Sequence, residues 1–182
     1  MKIKTGIDII EVPRIQEAIE RHGNLFLKRI YSEEEIQYCQ DTGKMKYQHY
    51  AVRFAAKEAV FKAISDLIDY SKEDIWKNIV IKNEKGGKPF VEFSGTLEFL
   101  NVNKTQRKTE KESKIETKTT TELKLEQEKE IEMKLENKRG IEIKSEIEAR
   151  TIKNKIEVES MDLSLSHIKD YAIANFVMLI NE

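Results

Sequence analysis

The sequence predicts a mixed helix-and-strand domain interrupted by one long charged segment, on three observations. Strand-like runs stand at both ends, Ile3 to Val12 with its β-branched residues and Met161 to Ile180. Arg53 to Ile64, rich in alanine and free of glycine and proline, carries apolar residues at helical spacing. Asn101 to Ser160 has no aromatic residue, no proline and a single glycine, Gly140, and about half of it is Lys, Arg, Glu or Asp.

The 182 residues suffice for one core, or for one domain with an appendage. A formal net charge of −1 conceals 36% charged residues. The charges nearly cancel, so no global basic field points to nucleic acid. Cys39 is the single cysteine, which excludes an intramolecular disulfide and a cysteine-based metal cluster and suits a reducing, cytoplasmic setting. The N-terminus lacks the apolar run and small-residue cleavage site of a secretory signal. No stretch approaches the roughly 20 apolar residues that span a bilayer, so a soluble protein without a membrane partner is expected.

Taken in order, Ile3 to Val12 reads as a strand, with Pro13 at the first turn of the helix that follows. Arg14 to His22 is amphipathic, with Ile15, Ala18 and Ile19 opposite Arg14, Glu17 and Arg21. Ser32 and Glu35 form a capping-box pattern opening a short helix, SEEEIQYCQ. The central helix is apolar on nearly every side and should be mostly buried. Ser71 to Trp76 has the look of a helix start. Ile79 to Lys82 and Pro89 to Phe93 read as a hairpin around NEKGGK. Within the charged segment, residues to about Thr121 should be disordered or extended. From Leu123 the apolar residues alternate through Ile143, which favours strands over a charged helix, with a turn at Asn137 to Gly140. Met161 onward reads as a strand, a polar turn at His167 to Asp170 and a longer closing strand.

Several polar residues stand where burial or a turn makes them expensive. Arg53, Lys57, Glu58 and Lys62 rise from the apolar central helix, with Arg53 and Lys57, and Glu58 and Lys62, each an i, i+4 pair. That set suits either a metal with a phosphate or a helix with ordinary ion pairs. Asp8, inside an apolar strand, is either an exposed acid or a ligand, and Gly6 beside it points to a bulge or a close backbone approach. Gly86 and Gly87 permit positive φ, or approach of a phosphate or ribose. His167 is either a plain turn histidine or part of a site, with Ser164 and Ser166 sharing a face of the strand before it. Arg14, Arg21, Lys28 and Arg29 form either a solvated helix face or a surface for an acidic protein.

GIDIIEVPRI, RFAAKEAVFKA and SLSHIKDYAIA, with GGKPFVEF between the last two, resemble in residues and order the signature stretches of the holo-acyl-carrier-protein synthases, small 4′-phosphopantetheinyl transferases of bacterial fatty acid synthesis. The resemblance covers residues 3 to 100 and 161 to 182, leaving 101 to 160 as a Lys/Glu-rich insertion. It implies an α+β fold, a small antiparallel sheet packed against helices. It also implies transfer of 4′-phosphopantetheine from coenzyme A to a serine of apo-acyl carrier protein, with Mg2+, releasing 3′,5′-ADP. By motif match Asp8 and Glu58 would be the metal ligands and Lys62 would neutralise a phosphate oxygen. Arg53, Lys62, Gly87, Ser166 and His167 would hold coenzyme A, and Arg14 and Arg21 would dock the carrier protein. Lys57 would pair so as to orient Glu58. The family is a homotrimer whose sites lie between subunits, which would place Asp8 and the central helix on different surfaces.

Two departures from the family pattern stand out. The chain inserts roughly sixty residues before the SLSH strand, which loop-closure entropy tolerates. Val52 replaces a glycine common in relatives. The alternative reading is a non-catalytic module that binds a carrier protein, or another partner, through the insertion. Within the enzyme reading, a broad-specificity transferase serving peptide or polyketide synthases is the other choice, but those are typically longer tandem repeats of this unit, and this sequence carries no second KEA signature.

Overall fold

The computed structural model describes residues 1–68, 75–102 and 156–181. Residues 1–102 and 156–181 belong to one compact unit. The strands and hairpin turn expected between Leu123 and Ile143 lie outside the described residues, as does most of the helix start expected from Ser71.

Strand β1 (Lys2–Glu11) leads directly into helix α1 (Val12–His22), whose first turn holds Pro13. Helix α2 (Asn24–Ile30) follows, an element the sequence reading did not separate from its surroundings. Helix α3 (Glu33–Asp41) opens with the expected capping box. Ser32 Oγ accepts from Glu35 N at 3.2 Å, and Ser32 N donates to Glu35 Oε2 at 2.8 Å. Helix α4 (Lys46–Ile64) begins well before Arg53, because no breaker interrupts Lys46 to Val52 and Tyr50, Ala51 and Val52 are themselves buried. A short helix α5 (Ile75–Asn78) enters the hairpin of β2 (Ile79–Asn83) and β3 (Pro89–Phe93). Strands β4 (Glu157–His167) and β5 (Tyr171–Asn181) close the chain, β4 starting inside the stretch assigned to the insertion.

The main sheet is antiparallel in the order β1-β5-β4, and β2-β3 is a separate pair. Alternation in β5 sorts the sheet's faces. Ala172, Ala174, Phe176, Met178 and Ile180 are buried, while Tyr171, Ile173 and Val177 are exposed. Helix α4 packs across β1 and β5. Eleven of its 19 residues are buried, as expected of a helix apolar on most sides. Alanines at 55, 56, 59 and 63 let it lie close to the sheet, and Gly6 is where contact is tightest. A Cβ there would fall 1.9 Å from the Ala59 carbonyl oxygen. Of the two readings open for Gly6, the close backbone approach is the one found.

Lys57 is fully buried, and its partner is not Glu58. Its ammonium is 2.9 Å from Glu35 Oε2 and donates to the carbonyls of Trp76, at 2.7 Å, and Ile79. Glu35 also accepts from Ile81 N at 3.1 Å. Consecutive helix residues point about 100° apart, so Lys57 ties α3, α4 and β2 together while Glu58 faces elsewhere.

The chain leaves the unit beside β3. There Asn101 imitates a strand partner, accepting from Phe93 N at 2.9 Å and donating to Phe93 O at 2.7 Å.

Candidate active site

Polar side chains gather on two sides of α4. Arg53 and Lys62 are nine residues apart, which at about 100° per residue sets them on opposite sides of the helix.

On the β1 side, the close approach at Gly6 brings Asp8 against α4. Lys62 Nζ lies 2.8 Å from Asp8 Oδ1 and donates to Ile7 O at 3.0 Å, so Lys62 pairs across to the strand rather than along the helix to Glu58. Glu58 is half-buried, and its carboxyl is held above the usual carboxylate range by burial first and by the Asp8 charge second, with Lys62 acting against both. Asp8, Glu58 and Lys62 are thus neighbours in one chain. The placement of Asp8 and the central helix on different surfaces is overturned, because β1 pairs with β5 directly beneath α4. Two neighbouring carboxylates, with the charge of Asp8 adding to the raised proton affinity of Glu58, suit a divalent cation. Magnesium takes one or two protein carboxylates and fills its other positions with water and phosphate, so the residues present fit that ion. Among the described residues no group of three or more His, Cys, Asp or Glu side chains is placed to hold a metal ion.

On the other side, Arg53 is buried and held from several directions. Its Nη2 donates to Asn83 Oδ1 at 2.8 Å, and its guanidinium carbon lies 4.0 Å from the centre of the Tyr38 ring. Nη1 donates to His49 O at 3.5 Å, and Nε has no hydrogen-bond partner among the described residues. Asn83 Nδ2 donates to Gly87 O at 3.0 Å, and Gly87 has φ of 86°, the left-handed conformation its turn requires. The Tyr38 ring meets His49 edge-on at 5.6 Å, and His49 meets His167 at 5.3 Å. Burial, with Arg53 and His167 adding, pushes the His49 imidazole below its usual pKa. Arg53, Gly87 and His167, expected to act together, therefore belong to one chain of contacts.

Its links, Tyr38, His49 and Asn83, were not singled out from the sequence. Two of them had a local signal, His49 one helical turn before Arg53 and Asn83 at the mouth of the glycine turn. Ser166 stands apart. It pairs with Ile173 on the outer sheet face, whereas His167 pairs with Ala172 on the inner one. Arg14 and Arg21 lie exposed on one face of α1, about two turns apart. Among the described residues no helix is long and apolar enough to cross a membrane.

The model of the 4′-phosphopantetheinyl transferase superfamily (ACPS) matches residues 4–119. The holo-[acyl-carrier-protein] synthase of Ruminiclostridium cellulolyticum is 45% identical over 95 residues, 52% of this chain and 69% of that protein. That of Koribacter versatilis is 44% identical over 95 residues, 52% of this chain and 74% of that protein. Among solved structures, the Chronobacterium ammoniagenes ACPS-CoA complex superposes with a TM-score of 0.61 at 19% identity, covering 100% of both chains. The Helicobacter pylori holo-[acyl-carrier-protein] synthase in complex with coenzyme A gives 0.55 at 22% identity, covering 96% of this chain and 99% of that one. The structural likeness establishes the α+β fold, small antiparallel sheets against helices. With the sequence matches beside it, the chain belongs to the 4′-phosphopantetheinyl transferase superfamily, among the holo-[acyl-carrier-protein] synthases.

Proposed function

We propose that the protein transfers 4′-phosphopantetheine from coenzyme A to a serine hydroxyl of apo-acyl carrier protein, giving holo-acyl carrier protein and 3′,5′-ADP, in the cytoplasm and in the service of fatty acid synthesis. The observation that carries this reading is the convergence of Asp8, Glu58 and Lys62 against β1, in a chain whose relatives are named for this activity.

Asp8 and Glu58 would hold Mg2+, which when bound supplies positive charge to the pyrophosphate and its leaving oxygen. The ammonium of Lys62, already turned toward Asp8, neutralises a phosphate oxygen of the transferred group. A carboxylate of the site or a bound water takes the serine proton as the hydroxyl oxygen attacks phosphorus and the bond to the 3′,5′-ADP oxygen breaks. Arg53, His167 and the Gly87 turn hold the nucleotide end, where backbone approach is unobstructed by a Cβ. Arg14 and Arg21 meet the acidic carrier protein.

Donor-binding and reacting groups on opposite sides of α4 are united when a neighbouring copy brings one set to the other. Such a heterologous contact closes into a ring, and the homotrimer is the ring this reading adopts. The outer sheet face suits the contact, because Ile3, Ile9 and Ile173 are 69%, 63% and 37% exposed there, and Ser166 lies among them.

Mass spectrometry of apo-acyl carrier protein incubated with the protein, coenzyme A and magnesium tests the reading. A gain of one phosphopantetheine, abolished by chelator, is expected. No gain from a folded sample offered several carrier proteins would overturn it.

A further inference from the structure

Asn83 is neither charged nor nucleophilic, yet it joins the two residues that the donor site needs most. At its place the β2-β3 ladder ends on Pro89, which has no N–H to donate. The turn is instead closed by Glu84 N to Lys88 O at 2.9 Å and Gly87 N to Glu84 O at 2.8 Å, with the Asn83 amide laid across it. Arginine only donates and a backbone carbonyl only accepts, so Oδ1 must face Arg53 and Nδ2 must face Gly87, as observed. No carboxylate or ammonium side chain can serve both. A carboxylate here would satisfy Arg53 and repel the Gly87 oxygen.

We propose that Asn83 is a positioning residue for the coenzyme donor, locking the Arg53 guanidinium to the Gly86–Gly87 turn so that α4 and the hairpin present one preformed surface to the nucleotide. The proposal rests on the reading that Arg53 and Gly87 receive that end of coenzyme A. One feature of Arg53 and one of Gly87 favour it. The guanidinium is fixed from the Tyr38 face and from His49 O, so the Asn83 bond is the contact that ties it to the hairpin. Gly87 sits at positive φ, which places its carbonyl where Asn83 meets it. Preorganisation of this kind lowers the ordering cost of binding and so acts on donor affinity rather than on chemistry.

The test compares Asn83→Asp, which keeps size and the Arg53 bond, with Asn83→Ala, which removes both links. Steady-state constants for coenzyme A and carrier protein are measured, with direct titration of 3′,5′-ADP. Both variants should raise the Kd for 3′,5′-ADP and the KM for coenzyme A about tenfold, corresponding to about 1.4 kcal/mol. The KM for carrier protein and kcat should stay within about threefold of wild type, a split that general loosening of the fold would not give. Adding Asn83→Ala to Arg53→Ala should cost nothing further, since the residue acts through Arg53. An Asn83→Asp variant that binds 3′,5′-ADP like an active wild type, or additive losses in the double variant, would overturn the proposal alone. A wild type that neither binds 3′,5′-ADP nor turns over coenzyme A would overturn the functional reading and the proposal together.

Discussion

Gly6 of β1 lies so close to Ala59 of α4 that a single added methyl would overlap the Ala59 carbonyl oxygen, at 1.9 Å, and crowd Ala63 N, at 3.1 Å. Backbone atoms of a buried helix have nowhere to go, so the clash must lift α4 from the strand. Gly6→Ala should cost about 2 kcal/mol or more in urea unfolding. It should also lower turnover by more than its stability loss explains, because Asp8, Glu58 and Lys62 meet through this contact. Wild-type stability and rate in this variant would remove Gly6 from the site's construction.

The raised proton affinity of Glu58 has a definite sign in stability. A carboxyl that holds its proton more tightly when folded makes folding less favourable as pH rises from its ordinary value of 4.5 through the higher folded value. Glu58→Gln should therefore stabilise the protein slightly at pH 7, by under about 1 kcal/mol, since the group is only half-buried and screened. Magnesium should raise the melting temperature of wild type and leave that of Glu58→Gln unmoved. Calorimetry at pH 4 and pH 7, with and without the ion, decides both points.

Burial without exposure makes Lys57 a different case from Lys62. Desolvation pulls its pKa down, and the Glu35 carboxylate works to hold the charge in place. Lys57→Met should destabilise by about 3–5 kcal/mol, because Glu35 is left buried and unpaired. Lys57→Met with Glu35→Gln should recover at least about 1 kcal/mol of that. Urea midpoints that fall equally in both variants would locate the cost in lost packing instead.

On the outer sheet face, Ile9→Asp places a charge among Ile3, Ile7 and Ile173. Light scattering should show the mass fall from three chains to one, with turnover lost and the far-UV spectrum retained. A single-chain mass for wild type would end the trimer reading.

For the basic face of α1, Arg14→Glu and Arg21→Glu should each raise the KM for an acidic carrier protein about tenfold and leave that for coenzyme A within about twofold. Equal effects on the two substrates would take these residues off the docking surface.

What was legible in the sequence shares one property: it depends on residues close together in the chain. The Ser32–Glu35 capping box, the hairpin around Gly86 and Gly87, the two strands about His167 and the buried character of α4 all follow from spacing and local propensity. The signature stretches likewise named Asp8, Glu58, Lys62, Arg53 and His167 as candidates.

Which of these touch, and through whom, was decided by tertiary packing. Lys57 was expected to orient Glu58 but reaches Glu35, Trp76 and Ile79, because neighbouring helix positions diverge by about 100°. Asp8 meets Lys62 because a glycine lets a strand sink onto a helix more than fifty residues away. Ser166 and His167, adjacent in sequence, part to opposite faces because strands alternate. A one-dimensional pattern specifies the direction in which a side chain leaves its own element. What lies in that direction depends on how the elements pack, and here that is set by small residues at the interface of α4 with the sheet.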